Sequence, residues 1–153
     1  MTRKEHGAVT ALIVSLKSLL SPVAFGVAAV AQNAQGNVLL VRHRYVSGWH
    51  LPGGGVERNE PPAEAILREL KEEVGLAAGD APQFAGLFTR TAGIATNVIA
   101  LFRVTNVQID FRPNFEIAEI VFADPLAPPT GTTAATLRRL AEMVSKTKPS
   151  PYW

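Results

Sequence analysis

Three glutamates, Glu69, Glu72 and Glu73, stand at i, i+3 and i+4 within Arg68-Glu69-Leu70-Lys71-Glu72-Glu73-Val74-Gly75-Leu76. On a helix turning about 100° per residue they fall inside an arc of roughly 100°. Ala63, Ile66, Leu67, Leu70 and Val74 form a separate apolar stripe, about 100–130° further round the axis. One face can dock on a core while its neighbour presents three carboxylates together. Like charges at this spacing destabilise an isolated helix by a few tenths of a kcal/mol, and a divalent cation would offset that repulsion. Mg²⁺ takes oxygen ligands, retains waters and shares its shell between carboxylates and substrate phosphates. The chain contains no cysteine, which excludes disulfides and thiolate chemistry and removes a ligand that zinc favours. A solvated acidic helix face is the plain alternative.

The flanking residues can position those acids. Leu51-Pro52-Gly53-Gly54-Gly55 lets backbone come close to a ligand, and its carbonyls can supply a further oxygen. Pro61 and Pro62 mark a helix start, where missing N–H groups cost nothing, and Gly75 marks the end. The glycine run is not a phosphate-binding P-loop, because no Gly-Lys-Ser/Thr follows it, and no GxGxxG is present.

The complete spacing is Gly54, five residues, Glu60, seven residues, then Arg-Glu-Leu-x-Glu-Glu-x-Gly-Leu from Arg68 to Leu76. It resembles the Nudix box, GX5EX7REUXEEXGU with U aliphatic, at every fixed position. By residue usage, a chance match in a chain this long is about one in 10⁷. The resemblance implies an α/β (α+β) fold, a Nudix-type α/β/α sandwich with a mixed β-sheet between helices, covering roughly Val23 to Ser145. It also implies Mg²⁺- or Mn²⁺-dependent hydrolysis of a diphosphate linkage in a nucleoside diphosphate derivative or nucleoside triphosphate. Glu69, Glu72, Glu73 and the carbonyl of Gly53 match the family's metal-binding positions, with Glu69 and Glu73 foremost in the chemistry. Glu60 and Arg68 match an orienting ion pair. The proton acceptor varies in the family: Glu69 is one candidate and a downstream loop glutamate, Glu116 or Glu119, the other. Asn59 stands where glycine is common, and asparagine tolerates the left-handed region. The alternatives are a non-catalytic Nudix-fold nucleotide sensor and a scaffold domain.

At 153 residues with 47% apolar and 18% charged residues, the chain reads as one folded domain over 1–153. Residues 1–21 form an N-terminal helical extension and 146–153 a C-terminal tail. The net charge of +2 suits a small phosphate-bearing substrate without calling for nucleic acid. Met1 to Gly7 read as frayed. Val9, Leu12, Ile13, Leu16, Leu19 and Leu20 read as an apolar helix face ended by Ser21-Pro22, packed on the domain or at a homodimer contact. Lys17 and Pro22 interrupt that run, so neither a signal peptide nor a membrane span is expected, and the chain reads as cytoplasmic.

Val23–Ala31 and Val38–Tyr45 read as a hairpin joined by Gln32–Asn37. Arg42 and Arg44 alternate onto one strand face, and guanidinium forks suit phosphate oxygens; a wet sheet face is equally open to them. His43 reads as a packed or surface residue, Trp49 as core, and Arg90 as a surface residue within reach of substrate. Phe84–Thr89 and Asn97–Val104 read as strands around Arg90–Ile94, with Val107–Phe111 continuing the meander and Phe115–Phe122 extended. Leu137, Leu140, Ala141 and Val144 make the apolar stripe of a helix from about Thr133 to Lys146, with Arg138 and Arg139 on its solvated face. For Tyr152 and Trp153, packing and surface contact are both open.

Overall fold

A computed structural model describes the backbone over residues 3–20 and 23–153, and side-chain environments over 11–19, 23–91 and 93–153. The expected helix stop at Ser21-Pro22 and the Val9 and Leu20 side chains lie outside these. Helix α1 (Arg3–Leu20) is already regular at Arg3, not frayed through Gly7. Leu12, Ile13, Leu16 and Leu19 are exposed, so over the described side chains 11–19 the expected packing of α1 onto the domain is not made.

Among the described residues nine strands follow, with two more helices. The long pair at the centre is β1 (Val23–Ala31) and β7 (Ala95–Val104), parallel from Val23 opposite Thr96 to Ala31 opposite Val104. With β4 (Gly53–Gly55) and β6 (Gln83–Ala92) they form a mixed sheet in the order β4-β1-β7-β6. A second sheet has the order β3-β2-β9, from Trp49–His50, Val38–His43 and Ile117–Ala123. A short ribbon pairs β5 (Leu76–Ala78) with β8 (Gln108–Ile109), so Val107–Phe111 does not continue the meander. Helix α2 spans Pro62–Val74 and α3 spans Ala134–Ser145.

The predicted β1–β2 hairpin is not formed. The turn exists, but only Gln32 and Val38 bridge across it. Val27–Ala31 and Val38–Val41 are uninterrupted apolar runs, the pattern of strands buried on both faces, and each strand uses both edges on other partners. β1 lies between β4 and β7, and β2 lies between β3 and β9.

Alternation along the central strands divides the core in two. Val27, Ala29, Leu39, Val41 and Phe102 pack with Ile66, Leu70 and Val74 of α2. Ala28, Val30, Leu40 and Leu101 pack on the other side with Leu140 of α3. That is the expected sandwich. The docked stripe of α2 is turned from the expected one: Ala65, Ile66, Leu70, Glu73 and Val74 are buried, whereas Ala63 and Leu67 are exposed. Glu73 thus lies inside the docked arc rather than beside it.

Candidate active site

Helix α2 starts after Pro61, which is extended, and closes at Gly75, whose φ of 69° is the left-handed cap that a side chain would resist. Between these ends the helix lays its acids against strand β4. The Gly53 N–H donates to Glu73 Oε2 at 2.9 Å. Glu69 lies against Gly54 so closely that a Cβ there would come within 2.5–2.6 Å of its carboxyl atoms. Glycine at position 54 is therefore what lets the Glu69 carboxylate reach the strand. Asn59, in the connecting loop, takes φ 62°, the left-handed conformation expected of it.

Arg68 is the cation of the cluster. Its Nε and Nη2 donate to the two oxygens of Glu60 at 2.8 and 2.9 Å, and Nη2 also donates to the Gly55 carbonyl at 2.9 Å. Its Nη1 donates to Glu69 Oε1 at 2.9 Å and to Glu72 Oε2 at 3.2 Å. Glu60 also accepts from the Glu57 N–H. The guanidinium hydrogen bonds hold the Glu60 carboxyl down to about 2, and the same bonds push the Arg68 pKa up. A bidentate guanidinium–carboxylate pair of this kind fixes geometry as well as charge. It ties the loop at 55–60 to the helix.

The three glutamates differ in their surroundings. Glu72 is largely exposed, at 61% of its side chain. Burial pushes the Glu69 carboxyl up, against the pull of Arg68. Glu73 is 3% exposed; burial raises it to about 8, the Gly53 hydrogen bond opposes this, and the charges of Glu69, Glu116 and Glu72 add to it. Among the described residues no three His, Cys, Asp or Glu side chains are already gathered as metal ligands. Arg68 Nη1 is shared between Glu69 and Glu72.

The other expected residues fall into two groups. Glu116 faces the acids closely enough for its charge to be felt by Glu69, Glu73 and His43. Glu119 is turned away and paired with Arg42 at 3.0 Å. The Arg42 guanidinium also lies 4.4 Å over the ring of buried Trp49, and Arg44 Nε donates to the Asn114 carbonyl at 2.6 Å. The β2–β9 register shifts after Arg42, with Ala118 the extra residue on β9, and Arg44 lies past the end of β2. Arg90 lines the main cleft.

That cleft, of about 600 Å³, is bounded by β1, the N-terminal turn of α3 and the glycine strand 53–55. The glutamates do not line it themselves; they adjoin it through that strand. His43 and His50 do line it, edge to face with ring centres 5.4 Å apart. Burial, foremost, and then His50 lower the His43 pKa. Sequence reasoning missed this pair, because six intervening residues hide that β2 and β3 are neighbours, with Val41 opposite His50. It also missed Asn114, whose Oδ1 accepts from the Glu116 and Ile117 N–H groups while Nδ2 donates to the Glu73 carbonyl at 3.0 Å. Asn114 thereby ties the Glu116 loop to the end of α2; an Asx-type turn in the sequence was the available signal.

A family model described as the NUDIX domain matches residues 22–141. The chain belongs to the Nudix family. An RNA pyrophosphohydrolase of Halorhodospira halophila is 48% identical over 54 residues, 35% of this chain and 30% of that protein. An RNA pyrophosphohydrolase of Hahella chejuensis is 50% identical over 44 residues, 29% of this chain and 27% of that protein. The matches thus span about a third or less of those relatives. Among solved structures, a MutT Nudix hydrolase from Burkholderia pseudomallei superposes with TM-score 0.68 at 20% identity, over 78% of this chain and 97% of that one. The Escherichia coli dihydroneopterin triphosphate pyrophosphohydrolase gives 0.64 at 19% identity, over 80% and 96%. At that identity the likeness is one of fold. Among the described residues of this Nudix chain, no helix is long and apolar enough to cross a membrane.

Proposed function

We propose that this Nudix chain is a divalent-metal-dependent hydrolase of diphosphate linkages in a small nucleotide-like substrate, acting in the cytoplasm. The observation that supports it is the acid cluster of α2 set against the glycine strand that walls the cleft. The donor set suits Mg²⁺ or Mn²⁺: Glu69, Glu72, Glu73 and the Gly53 carbonyl are all hard oxygens. Glu73 is buried among like charges, a site that gains from a cation. A bound metal would neutralise diphosphate charge and acidify an attacking water.

The chain's own residues supply the rest. Arg68, anchored by Glu60 and Gly55, holds Glu69 and Glu72 in register with the strand. Glu69 and Glu116 are the candidates for taking the proton from water, since the engagement of Glu119 with Arg42 favours Glu116 as the loop candidate. Arg90 lines the cleft and has no hydrogen bond or ion pair from its guanidinium among the described residues, which suits it to a phosphate; Arg42 and Arg44 are engaged elsewhere.

Product release from nucleoside triphosphates, nucleotide sugars, ADP-ribose and dinucleoside polyphosphates, with and without Mg²⁺ or Mn²⁺, tests the reading. Metal-dependent release from one class supports it. The local identity with RNA pyrophosphohydrolases favours including a 5′-triphosphorylated oligoribonucleotide, whose preferential hydrolysis would move the substrate from small nucleotides to RNA ends. No release from any of them would refute the reading.

A further inference from the structure

The cleft has a second end, built by the C-terminal segment. Residues 150–153 add an edge to the four-stranded sheet: the Thr89 N–H donates to the Pro151 carbonyl, and the Trp153 N–H donates to the Thr89 carbonyl, each at 3.0 Å. Helix α3 clamps the same segment. Glu142 Oε1 accepts from the Ser150 N–H at 2.9 Å, and Arg138 Nη1 donates to the Trp153 backbone oxygen at 2.8 Å. Arg139, expected on a solvated face, is instead 2% exposed. Its guanidinium lies 3.9 Å from the centre of the Phe88 ring and 5.8 Å from that of Trp153. It donates to the Tyr152 carbonyl at 3.2 Å and to Glu142 at 2.9 Å. Burying a guanidinium is costly unless its surroundings satisfy it. Here the Ser150 and Tyr152 carbonyls and the Trp153 ring, all from the tail, add to Glu142 and the Phe88 ring, while Nε has no partner.

The product of this construction is the position of Trp153. Its indole meets Phe88 edge to face at 5.8 Å and lines the same cleft as the glycine strand, with Phe25, Ile99, Asn97 and Arg90 nearby. In the order β4-β1-β7-β6, with the tail outside β6, interstrand steps of about 4.8 Å put the tail backbone roughly 19 Å along the sheet from β4. The acid end and the aromatic end are therefore opposite ends of one cleft. The aromatic end offers flat apolar surface together with the Asn97 amide. A heteroaromatic base, with a π-face and a hydrogen-bonding edge, matches that chemistry.

We propose that Trp153, held by Arg139 and Phe88, is the platform on which the substrate's nucleobase stacks, making the C-terminal segment a specificity element of the cleft. This rests on the hydrolase reading and narrows it to substrates carrying a base. Trp49 is buried, so of the two tryptophans of the chain only Trp153 faces ligand. The test compares wild type, Trp153→Phe and Trp153→Ala with a purine nucleoside triphosphate and with inorganic tripolyphosphate, which has no base. Base–aromatic stacking predicts that Trp153→Ala lowers the ratio of kcat/KM, nucleotide over tripolyphosphate, by about 5- to 150-fold, and that Trp153→Phe restores most of it. An unchanged ratio would overturn the proposal. Should the alanine variant not fold, tryptophan fluorescence decides: nucleotide, but not tripolyphosphate, quenches wild type, and Trp153→Phe abolishes the quenching. Quenching that survives in Trp153→Phe overturns it. Absence of turnover with both substrates would count against the hydrolase reading, while the fluorescence result still decides the platform.

Discussion

Glu73 is at once a core residue and a site residue. It is buried with the apolar stripe of α2, yet its carboxyl meets the Gly53 N–H at the edge of the cleft. Its pKa is raised to about 8, above its value in the unfolded chain, so the folded state binds the extra proton. Without metal, stability should therefore fall as pH rises from about 4.5 to about 8 and level off beyond. Thermal unfolding in chelator across that range checks the slope, and Glu73→Gln should flatten it. Glu60 has the opposite sign. Held down to about 2 by Arg68, it contributes stability present above about 4.5 and lost as pH falls toward 2. Metal binding at neutral pH should also release a proton from Glu73, visible by calorimetry as a binding heat that depends on the buffer; a heat independent of buffer would contradict this. Gly54→Ala would push its Cβ into the Glu69 carboxyl, and should lower turnover by more than about tenfold, a barrier change above about 1.4 kcal/mol. Kinetics on a variant with a near-native melting curve would show it. The metal-ligand candidates could be read from spacing alone; the burial of Glu73 could not. Periodicity places a residue on a helix face but does not say where the docked arc ends.

Helices α2 and α3 were legible in outline, since capping and apolar spacing are local signals. Thr133 caps α3 by accepting from the Thr136 N–H, at the position the sequence suggested. Rotation about the axis was less legible. The structure predicts that Leu70→Ala, at a fully buried site, costs about 2–5 kcal/mol, whereas Leu67→Ala, at 37% exposure, stays within roughly 0.5–1 kcal/mol. Equal effects in denaturant titrations would contradict the observed docking of α2. The β1–β2 hairpin was misread because apolar runs report burial on both faces without naming edge partners. Only nonlocal pairing, β1 with β7 and β2 with β9, resolves it. Arg139 was misread for a related reason. Its aromatic partners Phe88 and Trp153 come from β6 and the tail, and no i, i+4 pattern reveals them.

At the scale of the whole molecule, two sheets carry the core while one cleft joins their products. The acids and glycine strand stand at one end, the two histidines line its wall, and the clamped C-terminal aromatic stands at the other. Among the described residues helix α1 takes no part in this arrangement, Leu12, Ile13, Leu16 and Leu19 being exposed. Removing residues 1–21 should therefore leave turnover and Tm close to those of the full chain; if α1 serves a homodimer contact, the change would appear in sedimentation rather than in rate. The central claim is that the α2 acids perform metal-dependent diphosphate hydrolysis, and comparing nucleotide turnover by wild type and Glu73→Gln in Mg²⁺ tests it most directly. The account predicts that the variant keeps its fold, without loss of Tm in chelator, while turnover falls by orders of magnitude. A Glu73→Gln protein of native stability that hydrolyses the same substrate at a near-normal rate would contradict it.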